Sequence, residues 1–123
     1  MSATQFRAAV EARDLDGMVA ALAPDVVFHS PVTFKPFEGR DMVGHVLGEV
    51  LQVFEGFTYT DELREGDTTA LVFEARVGDR AVQGIDLVRV NDDGLIDDLT
   101  VLVRPLSGLT ALAGEMGKRL GAG

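Results

Sequence analysis

Residues 84–104 contain the feature that most constrains the fold. Two runs rich in valine, isoleucine and leucine flank a short polar segment, Asn91-Asp92-Asp93-Gly94. Asn, Asp and Gly tolerate the positive φ angles that hairpin turns need, and branched aliphatic residues favour strands. The stretch therefore predicts two strands, 81–90 and 95–104, joined as a β-hairpin.

Asp86 interrupts the apolar face of the first of these strands. Side chains alternate between the two faces of a strand, so Asp86 lies in line with Val88 and Val90,. A carboxyl group among valines predicts a pocket, where desolvation raises its pKa and lets it act as a general acid or a neutral hydrogen-bond donor. The competing interpretations are a structural hydrogen bond, or a register that turns Asp86 outward.

The rest of the chain predicts helices first and strands afterwards. Its expected elements are helices over 4–12, 15–22, 41–54 and 106–120, and strands over 25–30, 57–63, 68–77, 81–90 and 95–104. Asp14 and Asp41 are predicted helix caps, and Pro24 ends the second helix. An irregular loop is expected over 32–39, and frayed residues over 121–123. This order indicates an α+β fold, with the early helices packed in a strongly curved, mostly antiparallel sheet.

Composition limits the classes of partner. The chain has 123 residues, of which 46% are apolar, enough for one domain over 1–123,. Its 20 acidic and 11 basic residues give a net charge of −9, which argues against nucleic acid and anionic membranes. The absence of cysteine excludes disulfides and thiolate sites and does not indicate a compartment. The chain shows neither a leader pattern nor a long apolar run, so it is predicted to lack a membrane span, and the cytoplasm is taken as its default location. No metal-ligand spacing appears, so neither a metal nor another cofactor is expected.

Several short sequence segments resemble those of the nuclear transport factor 2-like superfamily, including its SnoaL-like and ketosteroid-isomerase branches. They are Arg13-Asp14-Leu15-Asp16-Gly17, Ala23-Pro24-Asp25-Val26-Val27-Phe28, Phe37-Glu38-Gly39-Arg40-Asp41 and the hairpin with Gly94-Leu95-Ile96. The resemblance covers about residues 4–104 and implies a cone-shaped α+β fold, to which 106–120 adds a C-terminal helix. It does not select one function, because this fold hosts isomerases, cyclases, hydrolases, dehydratases and binding modules.

Of the three catalytic positions of the isomerases that the resemblance identifies in this chain, only one keeps the catalytic residue type. Their oxyanion-binding Tyr falls on Phe6, their general-base Asp falls on Ser30, and their second oxyanion donor falls on Asp86. A serine cannot remove an α-proton near neutral pH without a base of its own, so standard ketosteroid isomerisation is not expected. The limonene epoxide hydrolase-like pattern is not evident either, since Val101 stands where one of its acids is expected.

His29 and Ser30 are the other two catalytic candidates. Neighbours on a strand point to opposite faces, so only one of them can face the pocket. The resemblance favours Ser30, whereas His29 is the better general base if a bulge before Pro31 turns it inward. Otherwise His29 is an interface or loop-anchoring residue. Tyr59, the only tyrosine, either donates to a ligand or is a packed ring with a solvated hydroxyl.

Together these residues predict a mostly apolar pocket for a hydrophobic small molecule. The expected lining besides Asp86, His29 and Ser30 is Phe6, Val10, Phe28, Phe54, Tyr59, Phe73, Val88, Val101 and Val103. One interpretation is an isomerase-, cyclase- or hydrolase-type enzyme that uses Asp86 as acid or hydrogen-bond donor. The alternatives are a non-catalytic binding module or dimeric scaffold with a filled pocket, and a protein-recruiting scaffold. The outer sheet face mixes apolar residues with charges of both signs and predicts a homodimer interface, which the resemblance also implies. The alternative for this face is a solvated antiparallel sheet.

Overall fold

The structure, a computed structural model, describes residues 2–120, with side chains for 3–120. Its elements in chain order are α1 (Ser2–Glu11), α2 (Leu15–Ala20), β1 (Leu22–His29), β2 (Phe37–Glu38), α3 (Arg40–Val53), β3 (Glu55–Glu65), β4 (Thr68–Val77), β5 (Arg80–Val90), β6 (Ile96–Arg104) and α4 (Leu106–Leu120). The prediction of frayed residues over 121–123 lies outside this range.

A six-stranded sheet forms the frame of the fold, in the order β2-β1-β6-β5-β4-β3. β1 runs parallel to β6, and the other neighbours are antiparallel. The predicted hairpin is confirmed: Asp86 pairs with Val101 and Val88 pairs with Leu99. The predicted α+β fold, with helices packed against a curved and mostly antiparallel sheet, is likewise confirmed.

The core lies between the helices and one face of the sheet. Phe6 of α1, Val43 of α3 and Leu71, Phe73 and Val88 of the sheet are at most 2% exposed. Leu71 and Phe73 are two apart on β4, and the buried Val43, Val46 and Leu47 are three or four apart on α3, so each of these elements buries one side. The opposite sheet face keeps Glu74, Arg76, Leu102 and Arg104 exposed.

Two boundaries of the predicted second helix and first strand are wrong. α2 ends at Ala20 and β1 begins at Leu22, so Pro24 lies within the strand and does not end the helix. Leu22 is drawn into the sheet by pairing with Ile96. The register shifts between Leu22 and Val27, and such an irregularity accommodates a proline that cannot donate to the ladder.

Two further predictions around α3 are corrected. The expected loop 32–39 contains β2, whose Phe37 pairs with Phe28 of β1 and stacks on its ring, with centroids 6.2 Å apart. Asp41 does not cap α3, because the helix begins at Arg40 with Gly39 as its N-cap. Asp41 instead lies in the first turn, where its charge favours the positive end of the helix dipole.

Candidate functional site

A cavity of about 450 Å³ lies between the helices and the sheet. Seven of the predicted site residues line it: Phe6, Val10, Phe28, Ser30, Phe54, Asp86 and Val101. α4 supplies a further apolar wall with Leu112, Met116 and Leu120. The C-terminal helix is therefore part of the cavity and not an appendage outside it.

Five predicted site residues do not line the cavity: His29, Tyr59, Phe73, Val88 and Val103. Phe73 and Val88 are fully buried. The ring of Phe57 stacks on Phe73 at 4.7 Å between centroids, so Phe57 forms the wall at this point. Val103 is half-buried against the core cluster, beyond the stretch of β6 that borders the cavity.

Asp86 is the buried acid of the cavity wall. Its residue is 8% exposed, and Oδ2 accepts a hydrogen bond of 2.7 Å from the hydroxyl of Tyr59. Oδ1 has no hydrogen bond to another described residue. Because every fully buried side-chain oxygen among the described residues has a partner, Oδ1 is an accessible atom of the cavity wall. Oδ1 is therefore the carboxyl oxygen left for a molecule in the cavity.

Burial controls the protonation of this pair. Desolvation raises the pKa of Asp86 to about 7, and the hydrogen bond from Tyr59 opposes that rise,. Burial, followed by the charge of Asp86, raises the pKa of the Tyr59 phenol well above its usual range. Near neutral pH Tyr59 is thus the hydrogen-bond donor, while Asp86 exchanges its proton in the range useful for acid–base chemistry.

The Tyr59 ring is held on several sides. It meets Phe57 and Phe73 edge-on, with centroids 4.9 and 6.5 Å away. The guanidinium of Arg7 lies over the ring, 5.4 Å from its centroid, and donates to Glu62 at 2.8 Å. Such edge-to-face and cation–π contacts fix the ring, and hence the direction of its hydroxyl.

His29 and Ser30 lie on opposite sides of the sheet. Ser30 lines the cavity, and its Oγ accepts from the backbone N–H of Val32 at 3.0 Å. His29 does not line the cavity, and its Nε2 lies 3.1 Å from Oδ2 of Asp98 on β6. No bulge turns His29 inward, since it pairs in register with Thr100.

The other polar groups of the wall are Glu11, Arg13 and Thr33. Arg13 lies in the turn between α1 and α2 with a φ of 54°, and its guanidinium donates to the carbonyl of Leu51 at 2.6 Å. No group of three potential metal ligands occurs among the residues described. No helix in the described part is long and apolar enough to cross a membrane.

A curved sheet that closes on helices around an apolar cavity is the architecture of the nuclear transport factor 2-like superfamily. Within it, this chain belongs to the SnoaL-like domain family, whose sequence model matches residues 3–99. No curated protein matches the chain significantly.

Solved structures agree with this assignment. A steroid Δ-isomerase from Pseudomonas aeruginosa is 45% identical, with a TM-score of 0.93 over 98% of this chain and 90% of that one. An uncharacterized bacterial protein with a cystatin-like fold from Silicibacter pomeroyi DSS-3 is 37% identical, with a TM-score of 0.94 over 98% and 86% of the chains. A nuclear transport factor 2-like protein of unknown function from Mesorhizobium loti shares the fold at 18% identity, with a TM-score of 0.75 over 85% and 88%.

Sequence reasoning missed the contact between Tyr59 and Asp86. Tyr59 reaches Asp86 across β4: it pairs with Phe73, which in turn pairs with Gly84. A side chain on Gly84 would collide with the Phe73 ring. A glycine inside a strand often marks such a close approach. Gly84 was therefore the sequence signal that an aromatic side chain from a neighbouring strand packs beside Asp86.

Proposed function

We propose that this protein binds a predominantly apolar small molecule carrying a carbonyl group, and that Asp86 is the hydrogen-bond partner of that carbonyl. The observation that carries the proposal is the Oδ1 atom of Asp86, which has no described protein partner in the wall of an apolar cavity. With a pKa of about 7, the carboxyl group is largely protonated just below neutrality and donates to a carbonyl oxygen. The cavity volume of about 450 Å³ falls in the range of small-molecule sites and argues against a filled pocket.

A steroid ketone is the first ligand to test, given the similarity to the steroid Δ-isomerase. Affinities for a steroidal 4-en-3-one and its 3-deoxy analogue are compared by calorimetry at pH 6. We expect the ketone to bind about ten-fold more tightly, as one good hydrogen bond provides. Asp86→Asn presents an amide donor in place of the acid and should keep this preference, whereas Asp86→Leu should lose it. Equal affinities of the wild type for the two steroids would contradict the proposal.

Isomerase activity is the second candidate function, and the 45% identity to the steroid Δ-isomerase favours it. In such a reaction a base takes a proton from the carbon between the carbonyl and the double bond and returns it to the far carbon of that double bond. Protonated Asp86 would stabilise the negative oxygen that develops between these two transfers. Ser30, at the position that the resemblance gives to the base, has no described side-chain base beside it. Conversion of a 5-en-3-one to the conjugated 4-en-3-one, followed by ultraviolet absorbance, tests this directly. Tight binding without turnover would restrict the protein to a binding role.

We also propose a homodimer formed through the outer sheet face. Leu102 is 55% exposed there, beside the exposed charges of Glu74, Arg76 and Arg104. Apolar residues ringed by charges of both signs suit a self-complementary two-fold interface. Sedimentation velocity of the wild type and of Leu102→Glu tests it. We expect a dimer for the first and a shift towards monomer for the second, and a monomeric wild type would overturn it.

A further inference from the structure

We infer that Tyr59 is a positioning residue, which places the acidic proton of Asp86 on the oxygen that faces the cavity. The inference rests on the proposed function of Asp86 and concerns a residue that does not itself border the cavity. It extends that function by specifying that the ligand group next to protonated Asp86 must be a hydrogen-bond acceptor.

The first step is the direction of the hydrogen bond. Tyr59 carries one hydroxyl proton and donates it to Oδ2 of Asp86 at 2.7 Å. The hydroxyl has no other hydrogen bond among the described residues, and Tyr59 is only 6% exposed. If Asp86 carried its proton on Oδ2 and donated it to Tyr59, the phenol proton would have no acceptor. A buried donor left unpaired is costly, so Tyr59 donates in both protonation states of Asp86.

The second step is the position of the remaining proton. With Oδ2 occupied as an acceptor, the proton of the carboxylic acid resides on Oδ1. Oδ1 has no partner among the residues described, and Asp86 belongs to the cavity wall. The protonated acid therefore offers O–H to the ligand, and a carbonyl oxygen is the complementary group. Without Tyr59 the proton is free to occupy either oxygen, and part of the population presents a lone pair to the ligand.

The third step is the rigidity of the arrangement. Tyr59 is clamped by the Phe57 and Phe73 rings and by Arg7. The charged groups around this pair are Arg7 and Glu11 of α1 and Glu62 of β3, and all three interact with one another through the Arg7 guanidinium. Glu11 and Arg7 act on the charge state of Tyr59, and Tyr59 is the only described residue that hydrogen-bonds to the carboxyl group of Asp86. The orientation of the acid thus depends on one hydroxyl group.

Tyr59→Phe removes this hydroxyl and keeps the ring. The matched control is Arg7→Met, which disturbs the surroundings of the same ring but leaves the hydroxyl in place. Thermal unfolding and circular dichroism establish that both variants are folded. Titration of the carboxyl carbon of Asp86 by NMR, without any ligand, gives the first readout. Since the hydroxyl favours the ionised carboxylate, we expect the pKa of Asp86 to rise in Tyr59→Phe and to stay unchanged in Arg7→Met.

The second readout is the preference for the 4-en-3-one over its 3-deoxy analogue at pH 5, where Asp86 is protonated in every variant. We expect this preference to fall about five-fold in Tyr59→Phe and to persist in Arg7→Met. An unchanged preference, or an unchanged pKa of Asp86 in Tyr59→Phe, would overturn the inference. If the wild type shows no preference at all, the proposed ligand fails, yet the NMR titration still decides whether Tyr59 controls Asp86.

Discussion

The guanidinium of Arg119 on α4 lies 3.2 Å from the carboxylate of Glu49 on α3, and so ties together two helices that line the same cavity. Arg119 also donates to Oε1 of Gln52 at 3.2 Å. The two side chains of the ion pair are 32% and 25% exposed. Their contact is a polar link between α3 and the C-terminal helix, beside the apolar wall.

Arg119→Ala should loosen α4 without unfolding the protein. A partly exposed ion pair contributes at most about 1 kcal/mol to the free energy of unfolding. Because this pair attaches α4, its loss should affect mainly the local opening of that helix. We expect amide hydrogen exchange within 106–120 to accelerate several-fold, with little change in the strands. Lys118→Ala is the control, since the one ion pair of Lys118 among the described residues is with Glu115 of its own helix. Equal acceleration in both variants would mean that the link to Glu49 does not hold the helix.

Ketone binding should weaken as Asp86 ionises. If only the protonated acid donates to the carbonyl, affinity for the 4-en-3-one falls about ten-fold between pH 6 and pH 8, given a pKa of about 7,. Asp86→Asn cannot ionise and should bind the ketone with the same affinity at both pH values. A pH-independent wild type, measured by calorimetry with the same ligand, would contradict this account.

Asp86 should also make stability depend on pH. Its pKa rises from 3.8 to about 7 on folding, so the folded state binds the proton more tightly than the unfolded state. The stabilisation is fully present below pH 3.8 and is lost as the pH rises through 7. Relative to Asp86→Asn, the wild type should lose about 2–3 kcal/mol of unfolding free energy between pH 5 and pH 8. Urea unfolding of both proteins at the two pH values measures this difference, and parallel curves would show that Asp86 is not desolvated.

Gly84→Ala should destabilise the fold beneath the site. The new methyl group would collide with the Phe73 ring and lie 2.6 Å from the carbonyl oxygen of Leu102. Backbone cannot yield easily in the middle of a sheet, so we expect a loss of about 1–3 kcal/mol. The matched control is Gly114→Ala on α4, where the added group meets no described atom within 4 Å apart from its own stretch of helix and alanine should add about 0.8–1 kcal/mol. If the denaturant midpoints of Gly84→Ala and Gly114→Ala moved in the same direction, the predicted collision at Gly84 would be contradicted.

Ser30→Asp should create or enhance proton abstraction. Ser30 lines the cavity at the position where the resemblance to the isomerases expects a carboxylate. A positioned general base contributes roughly a hundred-fold or more, so the rate of 5-en-3-one conversion should rise by at least that factor. Ser30→Asn, equal in size but without a basic group, should not change the rate. An unchanged rate in Ser30→Asp, with steroid binding retained, would show that this wall position does not face the reacting carbon.

The parts of the fold that depend on local chemistry were predictable. The turn before Gly94 forms because Oδ1 of Asn91 accepts from the N–H groups of Asp93 and Leu95 at 3.0 Å. The alternation that put Asp86 in line with Val88 likewise needs only the period of a strand. Both features are encoded within a few residues.

The parts that depend on distant partners were not predictable. The apolar face of α4 is visible in the sequence, but the pattern does not say what it packs against. The parallel pairing of Phe28 with Leu99 joins segments far apart in the chain. Tyr59 meets Asp86 only because β4 lies between their strands, which requires the complete sheet order. The alternation of side chains along a strand could not decide whether His29 or Ser30 faces the cavity. The resemblance favoured Ser30, and Ser30 is the one that lines the cavity.

The cavity wall begins at Phe6 and ends at Leu120. During synthesis on the ribosome, the apolar surfaces of α1 and α3 emerge long before α4 can cover them. Until then they are open to chaperones or to other nascent chains. A premature stop within α4 would remove part of the wall while leaving every strand in place, so such a product should retain its sheet and still fail to hold a ligand.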